Sequence, residues 1–336
     1  MKKATIIICL LSGVSLFSQD NAIRYLSMVD ANIRTVQAAN LEYILAASNG
    51  KPEIAEQERQ ELIQTLALAH EQLASLPSFD GSTKLRDSAM SFLRISHALI
   101  IEDYGRVISL EPVAERSFDA MEAYIGARAA AQSRLKGAGA MVEHEYLLFA
   151  RRHGFDIKPS TDALSSSITN ASKAYAHYNA VYDVFFRNYK QESYLLDAIS
   201  LGHISAIDQN LAALERSATT GLGELRDINP FGDDRLVAAC RNLLSFYRNE
   251  ATGALAGSAS FFIDKDDLER RTQILTAARE GETEKAALQK HEEASAEFRK
   301  RNDSFSKTNS ALAQKRDGLV QNFQKEADLF MKKYVK

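Results

Sequence analysis

Tyr175, Tyr178, Tyr182, Phe185 and Tyr189 stand at steps of three and four residues, a spacing that puts five rings on one face of a helix. Phe186 widens this stripe, and His177 and Asn179 flank it. A tyrosine combines apolar area with a hydroxyl that needs a hydrogen-bond partner once buried. Such a stripe serves either as a bulky packing seam with hydroxyls at its rim or as an aromatic-lined groove for a small molecule, a glycan or a peptide. The seam is the expected use. The groove is the use that would give the chain a function, and these five residues are its candidate ligand- or partner-binding residues.

The other reactive groups have simpler explanations. Carboxylates occur in pairs at Glu102-Asp103, Asp233-Asp234, Asp266-Asp267 and Glu292-Glu293. The pairs at 233 and 266 fall near expected helix starts, where negative charge is favoured by the helix dipole. Asp103 falls on the apolar seam that includes Leu85 and Leu99, and Arg106 is the expected partner for its carboxylate. None of the seven histidines belongs to an HExxH or ExxH pattern. His144 lies between Glu143 and Glu145, but neighbouring helical side chains point about 100° apart and do not converge on one ion. The chain has no GxxxxGK loop, no GxSxG elbow and no CxxC pair. The expectation is no catalytic site, no metal site and no cofactor.

The elements that position these groups are all expected to be helices. Apolar residues recur at three- and four-residue steps, and no segment alternates as a strand would. Pro52, Pro77, Pro112, Pro159 and Pro230 each fall at or beside a break in the pattern. Helices are expected over residues 20–48, from Leu62 to Leu76, from Leu85 to Leu99, and from Pro112 to Phe149 through Gly137-Ala138-Gly139-Ala140. Further helices are expected over Tyr175–Tyr189, Ile204–Leu225 and Leu236–Phe262, and from an N-cap at Asp264 toward the C-terminus. Cys240 shares an apolar pattern with Leu236, Val237, Leu243 and Leu244, which predicts a buried, inert thiol.

Two halves follow one plan. Leu85, Phe92 and Leu93 align with Leu236, Leu243 and Leu244 at one constant offset. Leu73-x-x-Leu76 before Phe79-Asp80-Gly81 resembles Leu222-x-x-Leu225 before Phe231-Gly232-Asp233. The expected fold is all-α, with two tandem antiparallel bundles of about four helices each. Phe298, Phe305, Leu312 and Leu319 repeat every seventh residue, so the last helix is expected to be long and coiled-coil-like, with a possible break at Ser304–Ser310. The boundary between bundles is placed at Ile157–Ser160, giving domains at 19–157 and 160–336.

Residues 1–18 read as a cleaved signal peptide: Lys2-Lys3, the apolar run from Ala4 to Phe17, and small residues such as Gly13 and Ser15. Cys9 follows three isoleucines early in that run and does not suit lipidation, so the chain is not expected to be a lipoprotein. Export to the periplasm, cell surface or exterior is expected. The formal charge of −3 offers no concentrated basic face for nucleic acid. No second run is long enough to span a membrane. Leu319, Val320, Phe323, Phe330 and Tyr334 with Lys325, Lys332, Lys333 and Lys336 could lie on an anionic membrane, but docking along the bundle is the expected use of that stripe.

The leader, the paired helical units, the tyrosine stripe and the Asn229-Pro230-Phe231 turn resemble the layout of uncharacterised helical surface or periplasmic proteins of Gram-negative bacteria. That resemblance implies an address and a fold class, and it carries no functional residues. The expected function is a non-enzymatic interaction scaffold of the envelope or exterior, its partner a protein or a small ligand, contacted through the aromatic stripe or the long C-terminal helix. The alternatives are a periplasmic carrier of a small ligand or metal, and an exported enzyme of another mechanism.

Overall fold

Periodic apolar residues give each helix one face that water disfavours, and the fold is the way those faces cover one another. The computed structural model describes residues 11–48, 52–103, 118–158, 162–277 and 282–335. Helix accounts for 90% of them, and among the described residues the only β-type pairing is an isolated bridge between Phe79 and Ser82. The chain is all-α. Its helices are α1 Leu11–Ser48, α2 Pro52–Ser75, α3 Lys84–Ala98, α4 Phe118–Arg152, α5 Ala163–Leu201, α6 Ile204–Asp227, α7 Arg235–Asn249, α8 Ser258–Ala277 and α9 Glu282–Tyr334. Both α3 and α7 run on into a turn of π-helix, Leu99–Asp103 and Glu250–Ala254.

The chain divides into two compact units, residues 1–172 with 334–336, and residues 173–333. The division lies inside α5, between Ser172 and Lys173, and not at the Ile157–Ser160 break. Loss of helical pattern marks the end of an element. A compact unit is defined instead by which side chains cover one another, and a 39-residue helix is long enough to serve two. Residues 1–10 with Cys9, the 104–117 segment with Arg106 and Pro112, and Pro159 lie outside the described residues.

In the first unit α1 packs on α2, α3 and α4, with α2 against α3 and α3 against α4. Val29, Ile33, Leu62, Leu66, Leu73 and Leu93 form the centre of its core. Each such side chain contributes about 1.5–3 kcal/mol when removed from water. The helix α4 continues through Gly137–Ala140 as expected, and the Phe92 ring lies 4.0 Å from where a Cβ on Gly139 would sit.

In the second unit α6 packs on α7, on the π-turn after it, and on α8. Cys240 is fully buried and free, and burial pushes its thiol up to about 12, in line with the inert thiol expected. The expected helix over Leu236–Phe262 is in fact two, interrupted by the π-turn and by Leu255–Gly257. Gly253 and Gly257 each lower helix propensity by about 1 kcal/mol there. Asp264 is therefore not an N-cap. It lies within α8 and pairs with Arg301 of α9, while Asp267 of the 266–267 pair binds Arg271 at 2.6 Å. The remaining pair behaves as expected at a helix start, since Asp233 accepts the Arg235 backbone N–H at 3.2 Å.

The long helix α9 is continuous through Ser304–Ser310, where Phe305 stacks on Phe261 at 4.1 Å. Further along, its apolar stripe turns inward. Phe323 stacks on Phe185 at 4.0 Å, and Lys333 binds Asp233 at 2.8 Å. Docking along the unit is what this stripe does. No helix among the described residues is long and apolar enough to cross a membrane.

Gly221 marks the tightest approach in the second unit. A Cβ there would meet Leu244 at 2.7 Å, Asn188 at 2.8 Å and Val184 at 3.0 Å. Gly221→Ala should gain about 1 kcal/mol of helix propensity and lose about 1–3 kcal/mol to overpacking. The expected result is a net loss of up to about 2 kcal/mol in chemical denaturation. An alanine variant more stable than the parent would contradict this close contact.

Candidate functional site

The two units share one internal frame. In the first, the Tyr25 hydroxyl donates to the Pro77 carbonyl at 2.9 Å, and the Tyr25 ring lies 5.1 Å from Phe79 and 5.9 Å from Phe149. In the second, His177 Nδ1 donates to the Asn229 carbonyl at 3.1 Å, and its ring lies 6.0 Å from Phe231 and 5.2 Å from Phe330. A carbonyl only accepts, so the proton is on Nδ1, and burial lowers the His177 pKa to keep the ring neutral. Each unit then turns through a left-handed glycine, Gly81 at φ 72° and Gly232 at φ 69°.

The helices on either side have equal lengths. Both α2 and α6 have 24 residues, and both α3 and α7 have 15. Each π-turn has 5, and α1 and α5 have 38 and 39. Equivalent core positions are buried in both: Val29 and Val181, Leu62 and Leu214, Ala89 and Cys240. In this register Leu73 corresponds to Leu225 and not to Leu222, because α2 and α6 each have one fixed length between turns.

Midway along the second unit the core is polar. Arg316 of α9 binds Glu192 of α5 and Glu250 of the π-turn. Both glutamates are 2% exposed, and Tyr247 beside them is fully buried. Burial pushes Glu192 up to about 8 against the pull of Arg316, and Glu250 upward for the same reason. One guanidinium faces two buried carboxylates, and burial shifts both of them toward the protonated form. Buried Lys190 places its ammonium 5.1 Å from the Tyr189 ring centre and 5.5 Å from that of Phe186.

At the equivalent positions the first unit is neutral and smaller. Asn40 stands for Glu192, Leu99 for Glu250, Ser96 for Tyr247 and Gln37 for Tyr189, and Leu135, fourteen residues before Phe149 as Arg316 is before Phe330, stands for Arg316. At this level the first unit has a partly open cavity of about 200 Å³, lined by α1, α2, α3, the π-turn, α4 and Ile168 of α5. Leu62, Leu66 and Phe92 form its apolar wall, with Leu99 and Ile100 of the π-turn at one side. Ser96 also lines it, is 9% exposed, and its Oγ makes no hydrogen bond among the described residues. π-Turns inside helices recur at functional sites, and both units place theirs at this level.

The aromatic stripe expected from the sequence is a continuous ladder along α5. Tyr178 and Tyr182 stack at 5.6 Å, Tyr182 lies 5.8 Å from Phe185, and Phe185 lies 5.5 Å from Tyr189. Phe185 is buried and the other rungs, with Tyr175, are half-buried. His144 and Glu143 are exposed on α4. Among the described residues no group of three His, Cys, Asp or Glu side chains could hold a metal ion. Sequence reasoning missed both mid-unit sites. One signal was available: Glu192 continues the aromatic face three residues past Tyr189, and Arg316 lies between Leu312 and Leu319 of the heptad stripe. A charged residue on an apolar seam needs a buried partner.

No family model matches the chain, and no curated protein or solved structure is significantly similar to it.

Proposed function

We propose that this chain is an exported, non-enzymatic binding protein, built by duplication of a four-helix unit, whose contact site is the cavity of the first unit. The observation that carries the reading is the cavity itself: about 200 Å³ of largely apolar space with the buried, unpartnered Ser96 hydroxyl on its wall. Apolar wall that faces such a space is stabilised when an apolar occupant covers it. An occupant would also give Ser96 a partner. The wall carries no titratable side chain among the described residues, which favours binding over acid–base chemistry. Equal helix lengths and the paired aromatic corners support duplication. The Lys2-Lys3 start and the apolar run to Phe17 support export.

Xenon, an apolar probe, tests the site. Equilibrating the chain with xenon should shift the methyl resonances of Leu62, Leu66 and Leu99 and leave those of the second unit, such as Leu214, in place. Unmoved methyls in the first unit would remove the site and this reading with it.

A further inference from the structure

We infer that the cavity of the first unit takes a neutral phenol-type ring, a reading that rests on the binding role proposed above. The second unit supplies the template. There, Tyr247 fills the space beside the π-turn, fully buried, with the charges of Glu192, Glu250 and Arg316 and the Tyr189 hydroxyl around its own hydroxyl. The first unit keeps the helices, the turn and the register but has Ser96 at this position, so what is missing is a hydroxyphenyl ring. A dry cavity of about 150 Å³ already accepts benzene. The roughly 200 Å³ here therefore holds one ring with a substituent.

The replacements around that space also set the charge of the occupant. Where the second unit has two carboxylates and a guanidinium, the first has Asn40, Leu99 and Leu135. A charged ligand would be desolvated there with no counter-ion among the described wall residues. A neutral hydroxyl would meet the Asn40 amide, which both donates and accepts, and the Ser96 hydroxyl, which lacks a partner. Apolar walls from Leu62, Leu66 and Phe92 match the faces of a ring.

The test is calorimetric titration of the full chain with 4-methylphenol, toluene and 4-methylbenzoate. Binding of 4-methylphenol should be at least tenfold tighter than that of toluene, with no detectable binding of 4-methylbenzoate. Ser96→Tyr should rebuild the filled core of the second unit and weaken 4-methylphenol binding at least a hundredfold with helicity unchanged. Asn40→Leu should abolish the preference for 4-methylphenol over toluene, and it carries the test should the tyrosine variant fail to fold. Tighter binding of N-acetyltyrosinamide than of 4-methylphenol would assign the same ring to a peptide side chain instead of a free phenol. Equal binding of toluene and 4-methylphenol, or preference for the benzoate, overturns the inference and leaves the binding site standing. Failure of all three ligands together with unmoved xenon-probed methyls overturns the site as well.

Discussion

Replacing Arg316 with alanine is expected to destabilise the second unit by about 3–5 kcal/mol, the usual cost of removing one partner from a buried ion pair. The guanidinium is the positive charge bound to both Glu192 and Glu250, and the three side chains come from α9, α5 and the π-turn. Without it, the buried carboxylates would lose their counter-charge, and the turn would lose its tie to both helices. The first unit, with Leu135 at the equivalent position, should keep its stability. Urea denaturation followed through a probe in each unit reads the two separately. A loss below about 1 kcal/mol in the second unit would mean that the cluster is not a buried ionic core. Replacing Arg316, Glu192 and Glu250 together by apolar residues of similar volume should cost much less than Arg316→Ala, because no uncompensated charge then remains.

The second large effect is on pH dependence. Glu192 has its folded-state pKa raised from 4.5 to about 8, and that of Glu250 is also raised, in both cases by burial. An acid with a raised folded pKa binds more protons folded than unfolded at intermediate pH, so stability falls as pH rises. The Glu192 contribution is therefore fully present below about 4.5 and lost progressively up to about 8, a change on the order of a few kcal/mol. The groups acting on this carboxyl are Arg316, Glu250 and Asp317, and Tyr247 is coupled to it. His177 works in the opposite direction, since its lowered pKa favours the folded state as pH rises toward 6.5. Asp233, held low by Arg235 and Lys333, is already ionised across this window. Comparing the parent with Glu192→Gln isolates the glutamate. The variant should lose most of the decline between pH 5 and 8, and identical slopes in parent and variant would show that Glu192 does not hold the proton.

The helices and their apolar faces could be read from the sequence because each depends on residues three and four positions apart. That local periodicity sufficed for the all-α fold, for the helix through Gly137–Ala140 and for the burial of Cys240. It also placed Tyr175, Tyr178, Tyr182, Phe185 and Tyr189 on one face, and the constant offset between halves was visible in Leu85 and Leu236. Periodicity could not say what that face meets. Phe185 stacks on Phe323, more than a hundred residues later, and only the path of α9 decides that contact. The break after Asn249 was equally hidden, since a π-turn changes the helix by one residue and leaves the apolar pattern nearly intact. The two mid-unit sites depend on tertiary structure entirely. Glu192, Glu250 and Arg316 are ordinary charged residues until three elements bring them together in the interior. Asn40, Ser96, Leu99 and Leu135 are unremarkable one by one. A cavity is the volume that side chains from several helices jointly fail to fill, and no single stretch of sequence contains that sum.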